Sequence, residues 1–450
     1  MTFLSQSRFH FCTSATPILP DGVELLCSGS AMKTKLLVPI LFFSLTIALA
    51  ACVPMSPDGL TAGQQTAIAG TVTAVIEQER TQTFLTGTPL LPTQTATLAA
   101  TPTVATATPK NTPTATIAPP SQDVIGPDTY PEGVNPLTGL KVPDPAILRR
   151  RPVIMKVSNH LIDYQAHWGL SSADIVFDYY IGWGSDRYAA LYYGQDASKI
   201  GPIRSIRRVD GHLGSLYQAV IGATGGDKED VLPYIDAYIS PGRYFLDKYL
   251  CPGVCDDGRN YVYSVFGDSA ALYNYFNYLG YGKDDPDLSG MAFSEEAPSG
   301  GEEGSGVWII WTDVGKAHWI YNPDTSKYHN WTIDESTYYT YQSLIDQNTG
   351  EQLSFSNVIV LKAPYTEIKG TLHSIDLIGN SSGYEATIFR DGMAYEVFWK
   401  TPQSDKPIQF VDTQGNPFPL KPGNTWIAIF GLTSPTVVES GDWSITFNMP

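Results

Sequence analysis

Asp174, Asp178, Arg187, Arg204, Ser205, Arg207, Arg208 and Asp210 crowd charge and hydroxyl groups into one stretch of this chain. Arg204 and Arg207 flank Ser205 just after Gly201-Pro202, a turn that leaves backbone donors available. Two guanidinium forks at that spacing suit bidentate capture of a carboxylate or phosphate. Asp174 and Asp178 are an even number of residues apart, so on a strand they share one face. Carboxylates so placed are the equipment of acid–base chemistry, and Asp210 is a third candidate. The ligand-binding set is thus Arg187, Arg204, Ser205, Arg207, Asp174 and Asp178; the acid–base set of an enzyme would be Asp174, Asp178 and Asp210. A blander arrangement uses the same residues, with Asp–Arg pairs merely tying strands together.

Aromatic side chains stand beside this cluster: Tyr179, Tyr180, Trp183, Tyr192 and Tyr193. Rings are platforms for sugar faces or a protein partner, but in strand-like runs they also serve as core. Cys251-Pro252-Gly253-Val254-Cys255 brackets a turn with two thiols and predicts a small disulfide loop outside the cytoplasm. Gly379-Asn380-Ser381-Ser382-Gly383 matches a hydrolase pattern, yet it lies between two strand-like runs rather than between strand and helix. His160, His167, His212, His318, His329 and His373 are scattered without metal-ligand spacing. Asp256-Asp257-Gly258 lacks the rest of a calcium loop. No phosphate-cradling loop or zinc-protease motif is present, so no metal or cofactor is expected.

The elements that must hold these residues begin near Tyr130, where aromatics become dense. Strand-like runs occupy Val153–Ser158, Ala173–Tyr180, Tyr188–Tyr193 and Tyr217–Ala223. A helix is predicted from Asp268, as N-cap, to Leu279, with Leu272, Phe276 and Leu279 on one face. The acidic, glycine-rich loop from Asp284 to Gly306 separates this mixed half, residues 129–295, from a β-rich half, residues 307–450. There the runs are Val307–Thr312, Ala317–Tyr321, Asn357–Lys362, Ser374–Ile378, Tyr384–Arg390, Ala394–Trp399 and Thr425–Phe430. Asp391-Gly392 is a hairpin signal. The expected class is α+β: a mixed α/β domain followed by a barrel- or sandwich-like one.

Ahead of both lies a bacterial lipoprotein signal. Lys33 and Lys35 precede an apolar run from Leu36 to Ala51, which ends on Leu49-Ala50-Ala51-Cys52. Cleavage before Cys52 would leave that cysteine as the lipidated first residue, and residues 32–51 as the signal peptide. Residues 1–31 read as an upstream extension ahead of the true start at Met32. Residues 52–128 read as a disordered Thr/Ala/Pro-rich stalk that cannot bury enough apolar surface to offset ordering entropy. Its Pro-rich part could reach on the order of 100 Å at polyproline-like rise. The formal net charge of −17, with no basic block, gives no footprint for nucleic acid. Nor will charge hold the chain to anionic headgroups, so the lipid is the anchor.

Several strings together resemble one family. They are Asn135-Pro136-Leu137-Thr138-Gly139-Leu140, the run from Arg151 to Asn159, the run from Gly169 to Asp178, and Ile200-Gly201-Pro202-Ile203-Arg204-Ser205-Ile206-Arg207. Tyr395-Glu396-Val397-Phe398-Trp399-Lys400 and Pro422-Gly423-Asn424-Thr425-Trp426-Ile427 extend the likeness over nearly all of residues 130–430. The chain resembles the YerB-like bacterial lipoproteins, a two-domain family with no established activity. The resemblance implies two domains behind a lipid anchor, and no reaction. Ala223-Thr224-Gly225-Gly226-Asp227 lacks the His that relatives tend to carry before the Gly-Gly pair, and Gly258-Arg259-Asn260 replaces their Pro-His-Asn. Shared histidine chemistry is therefore not expected here. The expected function is a non-enzymatic, membrane-anchored envelope protein that binds an anionic ligand, a glycan or another envelope protein. The alternative is an extracytoplasmic cell-wall hydrolase or transferase.

Overall fold

The computed structural model describes residues 124–159, 167–259, 264–282, 285–334, 337 and 340–449. The signal with Cys52, the stalk up to residue 123 and His160 lie outside the described residues. Residues 124–128, expected as stalk, join the fold where Ile125 and Phe293 exchange backbone hydrogen bonds.

The Arg151–Asn159 string forms the centre of a sheet. Strand β1 (Val153–Asn159) pairs antiparallel with β3 (Ser185–Tyr192), and β3 in turn pairs antiparallel with β2 (Ile175–Gly182). On its other side β1 runs parallel to β4 (Val220–Gly222), which runs parallel to β5 (Tyr244–Phe245). All seven residues of β1 are buried because both edges are paired and both faces are covered. Beyond β2 the sheet continues into the second half of the sequence. Thr425–Gly431 pairs parallel with β2 and with Asn357–Ala363, followed by Tyr384–Arg390, Met393–Lys400 and Glu302–Glu303. With Gln409–Val411 on Met393–Lys400, the sheet has eleven strands among the described residues. The two sequence halves therefore share one sheet.

Alternation along each strand splits the core in two. One face carries Ile154, Phe177, Leu191, Ile427 and Ile429, packed against Leu213 and Leu216 of the helix Val209–Leu216. The other carries Met155, Val176, Ala190, Trp426 and Phe430. These meet a second, seven-stranded sheet built on Gly306–Ile310, Lys316–Asn322, Lys327–Ile333 and Asp442–Thr446. Trp319 lies against Trp426 at 4.9 Å, and Trp311 stacks on Phe430 at 4.4 Å. Burying each such apolar side chain contributes roughly 1.5–3 kcal/mol, so these contacts fasten sheet to sheet.

The described part is β-rich with few helices, sparser in helix than the mixed first half was expected to be. Tyr217–Ala223, expected as one strand, is the end of the Val209–Leu216 helix followed by the three-residue β4. That helix carries Gly211 and Gly214, which hide it from propensity. Burial sustains it: a Cβ on Gly211 would sit 3.1 Å from Ile235 Cα, a tight contact that glycine avoids. The Ser269–Tyr278 helix has the expected cap, Asp268 Oδ1 accepting from Ala271 N at 2.9 Å. Leu272 and Phe276 are buried, whereas Leu279 falls past the helix end and is exposed. Asp391 and Gly392 both take positive φ, 56° and 75°, in the expected tight hairpin turn.

Candidate functional site, a cation-rich cluster beside an open cleft

The segment that follows Gly201-Pro202 lies along β1. Ser158 N donates to Pro202 O, and Arg204 N donates to Lys156 O, both at 2.8 Å. Thr224 N and Ile206 N tie the same segment to the Ala223–Gly226 loop through Arg204 O and Gly225 O. This places the arginine segment along the edge of β1 beyond the end of β4, next to Lys156.

Lys156 is the centre of the site and was not among the expected residues. Its ammonium is wholly buried and sits 3.0 Å from Asp210 Oδ1, itself wholly buried. Tyr179 completes a triad: its hydroxyl accepts from Lys156 Nζ and donates to Asp210 Oδ1 at 2.7 Å. The other Asp210 oxygen accepts from Arg207 N at 2.6 Å. Burial pushes the Lys156 ammonium down to about 8, opposed by Asp210 and reinforced by Arg207 and Arg187. Burial, with Asp210 alongside, holds the Tyr179 hydroxyl well above its ordinary range. Asp210 is thus the anion of this triad, set among the cations Lys156, Arg187 and Arg207.

Arg207 reaches outward from the triad. Its Nη1 donates to Ile206 O at 3.1 Å and more loosely to Ser205 O at 3.4 Å, while its buried Nε has no hydrogen-bond partner. Burial lowers its guanidinium from the ordinary arginine range. Arg208 turns to Tyr234, its guanidinium 4.0 Å from the ring centroid. Tyr234 OH in turn meets His212 Nε2 at 2.9 Å. Burial pushes that imidazole down to about 4, and its Nδ1 accepts from Leu377 N. An open cleft of about 310 Å³ begins at Arg207. Its walls include Trp183, Asp227, Lys369 and Leu372. Asp227 is held by Glu229 N, Asp230 N and Lys369 Nζ.

The remaining acidic candidates lie elsewhere. Asp174 lies one residue ahead of β2, and its carboxylate and that of Asp178 have separate partners. The Asp174 carboxylate accepts from Asn135 Nδ2, Tyr193 N and Gly194 N, which clamps the Asn135–Leu140 string to the end of β3. Burial raises it to about 6 against those donors. Asp178 points to the second-sheet side and pairs with Asp186, another residue outside the expected set. Both are fully buried, and Asn159 Nδ2 donates to Asp186 Oδ2 at 2.7 Å. Burial and the neighbouring Asp186 hold Asp178 well above the carboxylate range, so Asp178 keeps a proton and shares it with Asp186. Asp174, Asp178 and Asp210 therefore occupy three separate environments. The Cys251–Cys255 disulfide is formed, on the small sheet of Tyr249–Leu250, Val254–Asp256 and Val265–Gly267. The Gly379–Gly383 string is a loop between strands.

Two family models match this chain: "Protein of unknown function (DUF3048) N-terminal domain" over residues 137–251, and its C-terminal domain over residues 309–427. The chain belongs to the YerB-like two-domain family. A Bacillus subtilis (strain 168) member named "Putative lipoprotein YerB" is 26% identical over 334 residues, covering 70% of this chain and 92% of that protein. A crystal structure of the Bacillus subtilis YerB protein matches with a TM-score of 0.53 and 22% identity. It covers 66% of this chain and 95% of that one, and shows that the fold is shared. The N-terminal YerB-like model spans Lys156, Tyr179, Arg207 and Asp210 together, and the C-terminal one spans Lys369 and Leu372 of the cleft wall.

Proposed function

We propose that this YerB-like protein is a lipoprotein anchored through Cys52 on the extracytoplasmic face, and that it binds an anionic envelope ligand without turning it over. The name of the Bacillus relative and the Leu49–Cys52 signal support the anchor. One observation carries the binding reading: Arg207 lines an open cleft and is backed by the buried Lys156. Positive potential behind a guanidinium fork attracts carboxylate or phosphate groups and orients them. No two of Asp174, Asp178 and Asp210 meet, which argues against the acid–base alternative built on them.

Equilibrium binding of the full chain in detergent to carboxylate- and phosphate-bearing wall fragments tests this reading. Wild type should bind one class with affinity that falls as salt rises, and Arg207→Ala should lose it while keeping the wild-type circular dichroism spectrum. Binding that Arg207→Ala leaves intact would sink the cleft, and a change in fragment mass would sink the non-enzymatic reading. Cys52→Ala should abolish lipid labelling; normal labelling would overturn the anchor.

A further inference from the structure

The β2–β3 hairpin turns through Gly182-Trp183-Gly184, and Trp183 holds the left-handed backbone conformation at φ 53°. A bulky residue is uncommon there, and the indole is 83% exposed. Ordinary packing would bury such a ring, as it buries Tyr179, Tyr192 and Tyr193 nearby. A second hairpin, Tyr365–Lys369 and Leu372–Ile375, brings its tip against this turn. A Cβ on Gly182 would lie 2.4 Å from Gly370 O, and one on Gly370 would lie 3.5 Å from Trp183 Cζ2. The two glycine-bearing tips thus meet backbone to backbone and leave the indole as a wall of the cleft that Arg207 also lines.

The wall chemistry discriminates among anions. A bare phosphate ion would meet Arg207 and the Asp227–Lys369 pair, but it has no apolar face for the indole. An acidic sugar supplies both: a C–H face for Trp183 and an acid group for Arg207. The cleft volume of about 310 Å³ is at the small end for ligand pockets and suits a short saccharide. We propose that the cleft takes an acidic saccharide, one sugar ring stacking on Trp183 while its acid group engages Arg207. This rests on reading the cleft as an anion site and names the class of anion.

The test is calorimetric titration of the full chain in detergent with a uronic-acid trisaccharide, a neutral hexose trisaccharide and inorganic phosphate. The uronic-acid sugar should bind at least tenfold more tightly than either of the others. Trp183→Ala should weaken it tenfold or more, Trp183→Phe should restore most of the loss, and Arg207→Ala should reduce it to the level of the neutral sugar. Trp183 is exposed, so its variants should keep the wild-type melting temperature, and all three variants should keep the wild-type circular dichroism spectrum. If Arg207→Ala weakens binding but Trp183→Ala does not, the saccharide assignment is overturned and the anion site stands. If no charged probe responds to Arg207→Ala, both are overturned.

Discussion

The two faces of the β1–β3–β2 ribbon use buried charge in opposite ways. On the helix side, Lys156 and Asp210 are both wholly buried, and Tyr179 bridges them with a hydrogen bond to each. On the side of the second sheet, Asp178 and Asp186 are like charges, and the pair is stabilised by keeping a proton. Opposite charges can remain ionised away from water because each supplies the other's missing solvation, whereas two carboxylates cannot both ionise at short range. The difference maps onto access. The ion-paired face leads through Arg207 to an open cleft, while the carboxylate pair lies under Trp311 and Trp426 of the packed core. On the proposed reading, the positive charge at the open cleft serves a ligand, while the carboxyl pair under the second sheet serves the core.

Removing one partner should break the ion-paired face most severely. Lys156→Met leaves Asp210 buried without its cation, and should cost about 3–5 kcal/mol in denaturant unfolding. Lys156→Met combined with Asp210→Asn should recover a large part of that loss; a double variant as unstable as the single one would contradict the pairing. On the other face, Asn159→Ala removes the donor to Asp186 Oδ2 and should cost about 1–3 kcal/mol.

Asp178→Asn gives the comparison its sign. A carboxyl whose folded pKa is raised contributes stability that is full at low pH and lost as pH rises through that value. The amide keeps a donor for Asp186 without the ionisation, so the variant should match wild type near pH 4. It should be more stable by on the order of 1 kcal/mol near pH 8. Melting curves across that range test it, and a gap that narrows with rising pH would show that Asp178 is ionised in the fold. His212 has the opposite slope. Its folded pKa is lowered to about 4, so its contribution is full above the ordinary imidazole range and declines from there toward about pH 4. The smallest effect on stability is expected at the exposed wall of the cleft: Trp183→Ala should change unfolding by less than about 0.5 kcal/mol.

Particular residues show how much of this could be read along the chain. Val153–Ser158 was legible as a strand, but Lys156 within it carried no sign of its role. A lysine between apolar neighbours looks the same at a sheet edge as at a sheet centre, where it must be paired. Asp186 sits two residues after the Trp183-Gly184 turn and reads as loop chemistry; only the register Asn159↔Asp186 brings it to a partner. Arg204, Arg207 and Asp210 were legible because turn and charge are local features. Trp183 stood out as one ring among five in Tyr179–Tyr193. Burial of Tyr179, Tyr192 and Tyr193 and exposure of Trp183 separated platform from core.

The sequence by itself determined what depends on neighbours along the chain: strand alternation, the Asp268 cap, the Asp391-Gly392 turn, and the placing of charge after Gly201-Pro202. It also carried the family strings. Only the tertiary structure decided which charges meet. Side-chain direction follows from local periodicity, but a partner's identity depends on strand order and register across long sequence separations. Thr425–Gly431 lying beside β2 is the clearest case, since it joins two sequence halves into one sheet. Lys156, Tyr179 and Asp210 come from three separate elements of that fold, and no spacing in the chain announces their meeting.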